Sequence, residues 1–106
     1  IEYDDFKKLD IRTGTILSAD AVPKSKKLIK LMVQDGFGER QIIAGIASGY
    51  PPEELKGRKI VFLANLKPAK IMGLESNGMV LAAESGDGKP SLLSFDPNVK
   101  NGTKIR

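Results

Sequence analysis

The stretch LIKLMVQDGFGERQIIAGIA, residues 28–47, is two apolar, β-branched runs separated by an Asp-Gly-Phe-Gly turn. Residues 28–34 read as one strand, Asp35, Gly36, Phe37 and Gly38 as a hairpin turn, and residues 40–47 as the returning strand, paired antiparallel. Upstream, residues 11–22 are extended, with Thr13, Thr15, Ile16, Leu17 and Val22 at β-branched or apolar positions and Gly14 permitting a sharp coil or bulge. Pro23 closes this first strand, and Lys24, Ser25, Lys26 and Lys27 form a basic connection into the hairpin. Downstream, residues 60–66 read as a fourth strand. Pro68 and a connection over residues 70–77 lead to a fifth, residues 78–83, then a polar loop over 84–90 and a short apolar return over 92–95.

Two short helical turns punctuate this order. Residues 4–9 start with Asp4 and Asp5 and end with Lys7 and Lys8, complementing a helix dipole. Residues 51–57 have start prolines, first-turn acids and a stop glycine. Five or six short strands without long crossover helices fit a closed or nearly closed barrel, not a layered parallel sheet. The expected fold is therefore all-β: a five-stranded barrel of the oligonucleotide-binding type with short helical insertions, one domain over residues 1–106.

Composition narrows the function classes. The chain has 106 residues, 41% of them hydrophobic, enough for one modest core. Without Cys there is neither a disulfide framework nor a thiol nucleophile, and without His the nitrogen ligands of a zinc site are also missing. No cofactor or metal is expected. Apolar runs such as 60–64 and 79–83 fall far short of the roughly 20 residues that cross a bilayer. A cytoplasmic setting without membrane association is the expectation. The start at Ile1, with no initiator Met and no secretory leader, reads as a fragment of something longer.

Charge is concentrated. Residues 21–34 and 55–74 hold Lys24, Lys26, Lys27, Lys30, Lys56, Arg58, Lys59, Lys67 and Lys70 without a single Asp or Glu, although the whole chain has 17 Lys+Arg against 13 Asp+Glu. That polarity reads as a phosphate-binding face on an otherwise acidic body. Lysines that merely solubilise exposed loops would produce the same clustering.

Catalysis lacks its usual parts. No imidazole base exists, and the hydroxyls have no evident activating partner; Ser25 beside Lys26 on a loop reads as solvated. Neither a phosphate-cradling glycine loop nor a dinucleotide fingerprint occurs. The paired acids Asp4 with Asp5 and Glu53 with Glu54 sit at helix starts, where the dipole explains them. The domain is expected to be a binding module with no catalytic residues, a metal-dependent nuclease being the disfavoured enzyme reading.

Aromatic content separates modes of RNA binding, since general single-strand binders stack successive bases on exposed rings. Here only Tyr3, Phe6, Phe37, Tyr50, Phe62 and Phe95 exist, and Phe62 alone lies within a strand. With no ladder of rings, charge and shape favour a folded RNA. Lys greatly outnumbers Arg, consistent with point-charge contacts to phosphate and not bidentate base reading.

Residues 65–83, NLKPAKIMGLESNGMVLAA, together with residues 4–14, 25–31, 43–47, 52–59 and 99–105, resemble a known family over nearly the whole chain. This is the tRNA-binding domain at the carboxyl end of many methionyl-tRNA synthetases. It also occurs as a free-standing structure-specific tRNA-binding protein and in synthetase cofactors of the endothelial monocyte-activating polypeptide II type. The resemblance implies an oligonucleotide-binding barrel that holds tRNA by its shape. It also implies auxiliary tRNA affinity for the catalytic body of a methionyl-tRNA synthetase.

Carried over by position, the phosphate contacts are Lys26, Lys27 and Lys30 on the way into the second strand, and Lys67 and Lys70 after the fourth. Asn65, Ser76 and Met79 fill the remaining binding positions. Each of those three also has a plain reading: Asn65 as a turn residue, Ser76 as a turn cap, Met79 as barrel core. Ala69 departs from the family pattern, which often has a second basic residue there. Members that lack a further carboxyl-terminal domain pair as homodimers, which the chain's end at Arg106 suggests here; Tyr3, Phe6 and the segment around Ile105 are the candidate contacts. The alternatives are a protein-interaction or cytokine-like signalling module on the same barrel, and general single-strand binding.

Overall fold

The computed structural model of the chain describes all residues 1–106. Strand β1 (Ile11–Ala21) organises it, because it is long enough to serve two partners in succession. Its first half pairs antiparallel with β4 (Lys59–Leu63) and its second half with β2 (Ile29–Gln34). Between Ile16 and Ser18 the register with β2 slips, leaving Leu17 as the extra residue of a β-bulge, with its side chain at the surface. Such a bulge bends the strand and increases its twist, so one strand turns from one partner to the next. Gly14, expected to be the flexible point, has a different duty. A Cβ there would lie 2.9 Å from the Gln34 carbonyl oxygen, 2.9 Å from Val33 Cγ1 and 3.0 Å from the Phe62 ring. Glycine lets β1, β2 and the core close on one another.

The hairpin forms as expected, β2 pairing antiparallel with β3 (Glu39–Ala44) from Gln34 opposite Glu39 to Ile29 opposite Ala44. Along β2 the period of two is complete: Ile29, Leu31 and Val33 are buried, while Lys30, Met32 and Gln34 face outward. With β7 (Met79–Val80) the sheet runs β3-β2-β1-β4-β7 and curls into a half-barrel. Its core is Ile16, Ile29, Leu31, Val33, Ile42, Ile60 and Phe62, with Leu55 and Leu92 packed among them. The two helical insertions are also present. Helix α1 (Tyr3–Lys7) begins where the Glu2 amide donates to Asp5 Oδ2 at 3.0 Å, and a 3-10 turn (Pro52–Glu54) delivers Leu55 into the core.

β3 stops at Ala44, three residues short of the expected 47, and the larger departures come after Leu63. The fourth strand ends there and not at residue 66, because the Ala64 amide turns to the Asp10 carbonyl at 2.7 Å. The connection over residues 70–77 is itself a hairpin, β5 (Ala69–Ile71) with β6 (Leu74–Ser76), closed by Met72 and Gly73 at φ 51° and 79°. Two consecutive positive φ values belong to the type I′ turn. The expected fifth strand splits into β7 and β8 (Ala82–Glu84), and β8 leaves the sheet to pair with β9 (Pro90–Leu92).

The seam between the sheet edges is spanned by two side-chain hydrogen bonds and one between backbone groups. Gln41 Nε2 donates to the Glu75 carbonyl at 2.8 Å, the Asn77 amide donates to the Gln41 carbonyl at 2.8 Å, and Arg40 Nη1 donates to the Ala64 carbonyl at 3.0 Å. Residues 102–105 run along the part of β1 that β2 leaves uncovered, with Arg12 opposite Lys104 and the Ile105 amide donating to the Ile11 carbonyl at 2.8 Å.

Candidate nucleic-acid interface

The loop over residues 22–28 is tied down at both ends. Ser25 Oγ accepts from the amides of Lys27 at 3.2 Å and Leu28 at 3.1 Å, the hydroxyl turn that this residue type favours. The Lys27 carbonyl accepts from the Ala47 amide at 3.0 Å, which anchors the loop to the segment after β3. Lys24, Lys26 and Lys27 are left exposed on a fixed backbone. Lys30 faces outward on β2, directly opposite Ile43 of β3, so the two side chains share a face.

Lys67, some forty positions along the chain, arrives at the same face. It lines a cavity of about 270 Å³ with Leu28, Ile43, Leu66, Ile71 and Met79. A second cavity, of about 340 Å³, lies between Lys27, Ser48 and the β8–β9 hairpin. Gly45 walls both, so the surface is continuous from Lys27 to Lys67.

The cations of this face are not tied up in ion pairs, although carboxylates lie beside them: Asp20 across from Lys30, Glu84 on the Lys27 cavity and Glu75 across from Lys70. The ion pairs of the molecule are Lys8 with Asp5, Arg12 with Asp10 and Arg40 with Asp35; none uses a cation from either acid-free window. Two window cations are nevertheless spent on the fold. Lys59 Nζ donates to the carbonyls of Pro97 and Val99, and the Arg58 guanidinium lies 4.7 Å from the centre of the Tyr50 ring. Lys24, Lys26, Lys27, Lys30, Lys56, Lys67 and Lys70 have no carboxylate within ion-pair distance.

The expected site residues thus divide. Lys27, Lys30 and Lys67 converge with Met79, and Lys26 adjoins them in the Lys27 loop. Lys70 is exposed, but strand alternation sets it on the side of the hairpin opposite to Ala69 and Ile71, which line the cavity. Met79 is 46% exposed, which overturns its reading as barrel core. Ser76 is buried, and its hydroxyl is committed on both sides, accepting from the Ile43 amide at 3.0 Å and donating to the Gly78 carbonyl at 3.1 Å. It holds β6 against β3. The Asn65 amide group clamps the approach to β1: Oδ1 accepts from the Asp10 amide at 2.9 Å and Nδ2 donates to the Lys8 carbonyl at 2.7 Å. Both polar residues position the loops that carry Lys67 and Met79.

Sequence reasoning missed the apolar part of the face: Leu28, Ile43, Leu66 and Ile71, and the hairpin tip Met72. An Asn-Gly pair would have announced the type I′ turn; Met72 with Gly73 does not. A side chain with a Cβ in the left-handed region costs about 1 kcal/mol or more, so Met72 is held there by the surrounding hydrogen bonds and not by its own preference.

With this geometry in place, the chain can be set beside known proteins. Residues 11–104 match the family model described as "Putative tRNA binding domain". The methionine–tRNA ligase of Archaeoglobus fulgidus is 57% identical over 105 residues, 99% of this chain and 16% of that protein. The chain therefore spans about one sixth of that relative, and the match falls on the C-terminal region of such synthetases. Among solved structures, a MetRS-related protein from Pyrococcus horikoshii is 42% identical with a TM-score of 0.94, covering 100% of this chain and 97% of that one. The chaperone CsaA from Bacillus anthracis is 34% identical with a TM-score of 0.90, covering 100% and 98%. A family model that spans most of the chain, over a fold shared from end to end, places this protein in the tRNA-binding domain family.

Proposed function

We propose that the domain is a non-catalytic module that grips folded tRNA by its phosphates and so raises the local tRNA concentration for the catalytic body of a methionyl-tRNA synthetase. The observation that carries this reading is the continuous surface bearing Lys27, Lys30 and Lys67, none of them in an ion pair. Ammonium groups held outside any ion pair on tethered backbone suit an RNA whose folded shape presents phosphates at fixed spacing. Lys26 and Lys70 extend the positive field on either side, and Met79 with Leu66 offers apolar surface to a sugar or base. Asn65 and Ser76 act by positioning.

The non-catalytic reading draws on the absence of His and Cys and on the fact that no three Asp or Glu side chains are grouped to hold a metal ion. No helix is long and apolar enough to cross a membrane; we place the protein in the cytoplasm, where tRNA is charged. A second copy would double the positive surface. The cavity of about 280 Å³ lined by Tyr3, Phe6, Leu9 and Ile105 is the surface on which the two copies would meet.

Gel-shift titration of folded tRNA, unfolded tRNA and single strands at several salt concentrations tests the reading. Folded tRNA should bind best, with the logarithm of affinity falling by roughly 0.7–0.9 per phosphate contact for each decade of salt. Equal competition by single strands would overturn it.

A further inference from the structure

Resting on the tRNA-binding reading, we propose that Met72 is an RNA-contacting residue: the β5–β6 turn presents its side chain to an unstacked nucleotide of the tRNA, packing on the base or its ribose. Four observations converge on it. Met72 occupies the left-handed region at φ 51°, where Gly or Asn would sit without strain, and its thioether gives no local hydrogen bond in return. Its side chain is 54% exposed, so core packing does not explain its presence. The turn is rigid, because β6 is bonded to the sheet edge through Gln41, Ser76 and Asn77. Its surroundings are apolar and cationic together: Ile71, next to it in the chain, lines the cavity with Leu66, Met79 and Lys67, and Lys67 is in no ion pair.

An apolar side chain more than half exposed on a strained tip gains little from the isolated domain. Broken local rules of this kind are expected where function demands them. The charge around the tip selects the occupant. A flexible apolar wedge beside the cavity that carries Lys67 matches a polyanion that also carries apolar faces, which is a nucleic acid with a base out of the stack. Contact of this type releases no counterions, so it contributes to affinity independently of salt.

The experiment titrates this chain with folded tRNA across a salt series and records thermal unfolding for the wild type, Met72→Asn and Met72→Leu. Met72→Asn relieves the turn and should raise Tm by about 4 °C or more. It should also weaken tRNA binding about five- to tenfold while leaving the salt slope as in the wild type. Met72→Leu, which keeps the apolar tip, should bind within about twofold of wild type. Wild-type affinity in Met72→Asn overturns the proposal, as does a loss accompanied by a flatter salt slope, which would mean that the neighbouring lysines had been displaced. Unchanged tRNA affinity with weaker association to a separately purified synthetase body would assign the tip to a protein contact and overturn it too. Failure of the wild type to bind tRNA at all would sink the functional reading itself.

Discussion

The two ends of the β2–β3 hairpin handle positive charge in opposite ways. At the turn, Arg40 is clamped to Asp35 with 17% and 10% of their side chains exposed, and Arg12, paired with Asp10, lies 5.5 Å from the centre of the Phe37 ring. At the open end, exposed Lys27 and half-buried Lys30 close no ion pair, although Asp20 stands across from Lys30 on β1 and Glu84 lines the Lys27 cavity. Arginine's planar fork suits fixed pairing within the fold, while lysine's flexible point charge suits a partner that arrives from outside. Charge spent on the fold and charge kept for a ligand are distinguished by whether the chain closes an ion pair on it.

The contrast makes four predictions. The largest effect falls at the turn. Asp35→Ala leaves Arg40 partly buried without its anion and removes the acceptor for two amides, so it should destabilise the domain by about 3 kcal/mol in denaturant titration. In molecules that still fold, the salt slope of tRNA binding should be unchanged. Next, Gly14→Ala forces a Cβ against the Gln34 carbonyl oxygen and the Phe62 ring and should cost about 1–3 kcal/mol. At the open end the signature reverses: Lys27→Ala with Lys67→Ala should leave Tm within a degree or two yet flatten the salt slope by about 1.4–1.8. An unchanged slope in that double variant would remove both lysines from the interface.

The smallest effect is the pH dependence at Asp35. Burial pushes its carboxyl upward, but hydrogen bonds from the Phe37 and Gly38 amides and from Arg40 outweigh that and hold it below the ordinary aspartate value. Its contribution to stability is therefore complete above the unfolded pKa of about 3.9 and is lost as pH falls through the lower folded value. The stability gap between wild type and Asp35→Asn should be constant above about pH 5 and narrow only in acid. A gap that closed near neutrality would contradict the pairing.

Where the chain repeats strongly, its sequence was sufficient. Residues 28–47 show two apolar runs and the turn between them, and the first strand, the hairpin and both helical turns form in the expected places, although β3 stops at Ala44 and buries Ile42, Ile43 and Ala44 in succession. After Leu63 the signals fail because the elements are two or three residues long, too short for a period, and are held by long-range bonds such as Gln41 to Glu75. Likewise, the acid-free windows marked the right cations as a group but could not separate Lys59, strapped to Pro97 and Val99, from Lys67, which is free.

Local composition and spacing by themselves determined an all-β domain with segregated positive charge, because strand periodicity and the absence of acids are properties of contiguous residues. Which lysines share a face, why Met79 lies outside the core and Ser76 inside it, and where β5 and β6 form were decided by the tertiary structure alone. The physical reason is that side-chain direction here depends on neighbours some thirty to forty positions away, such as Ile43 for Ser76 and Lys27 for Lys67, and only the curling of the sheet brings those neighbours together.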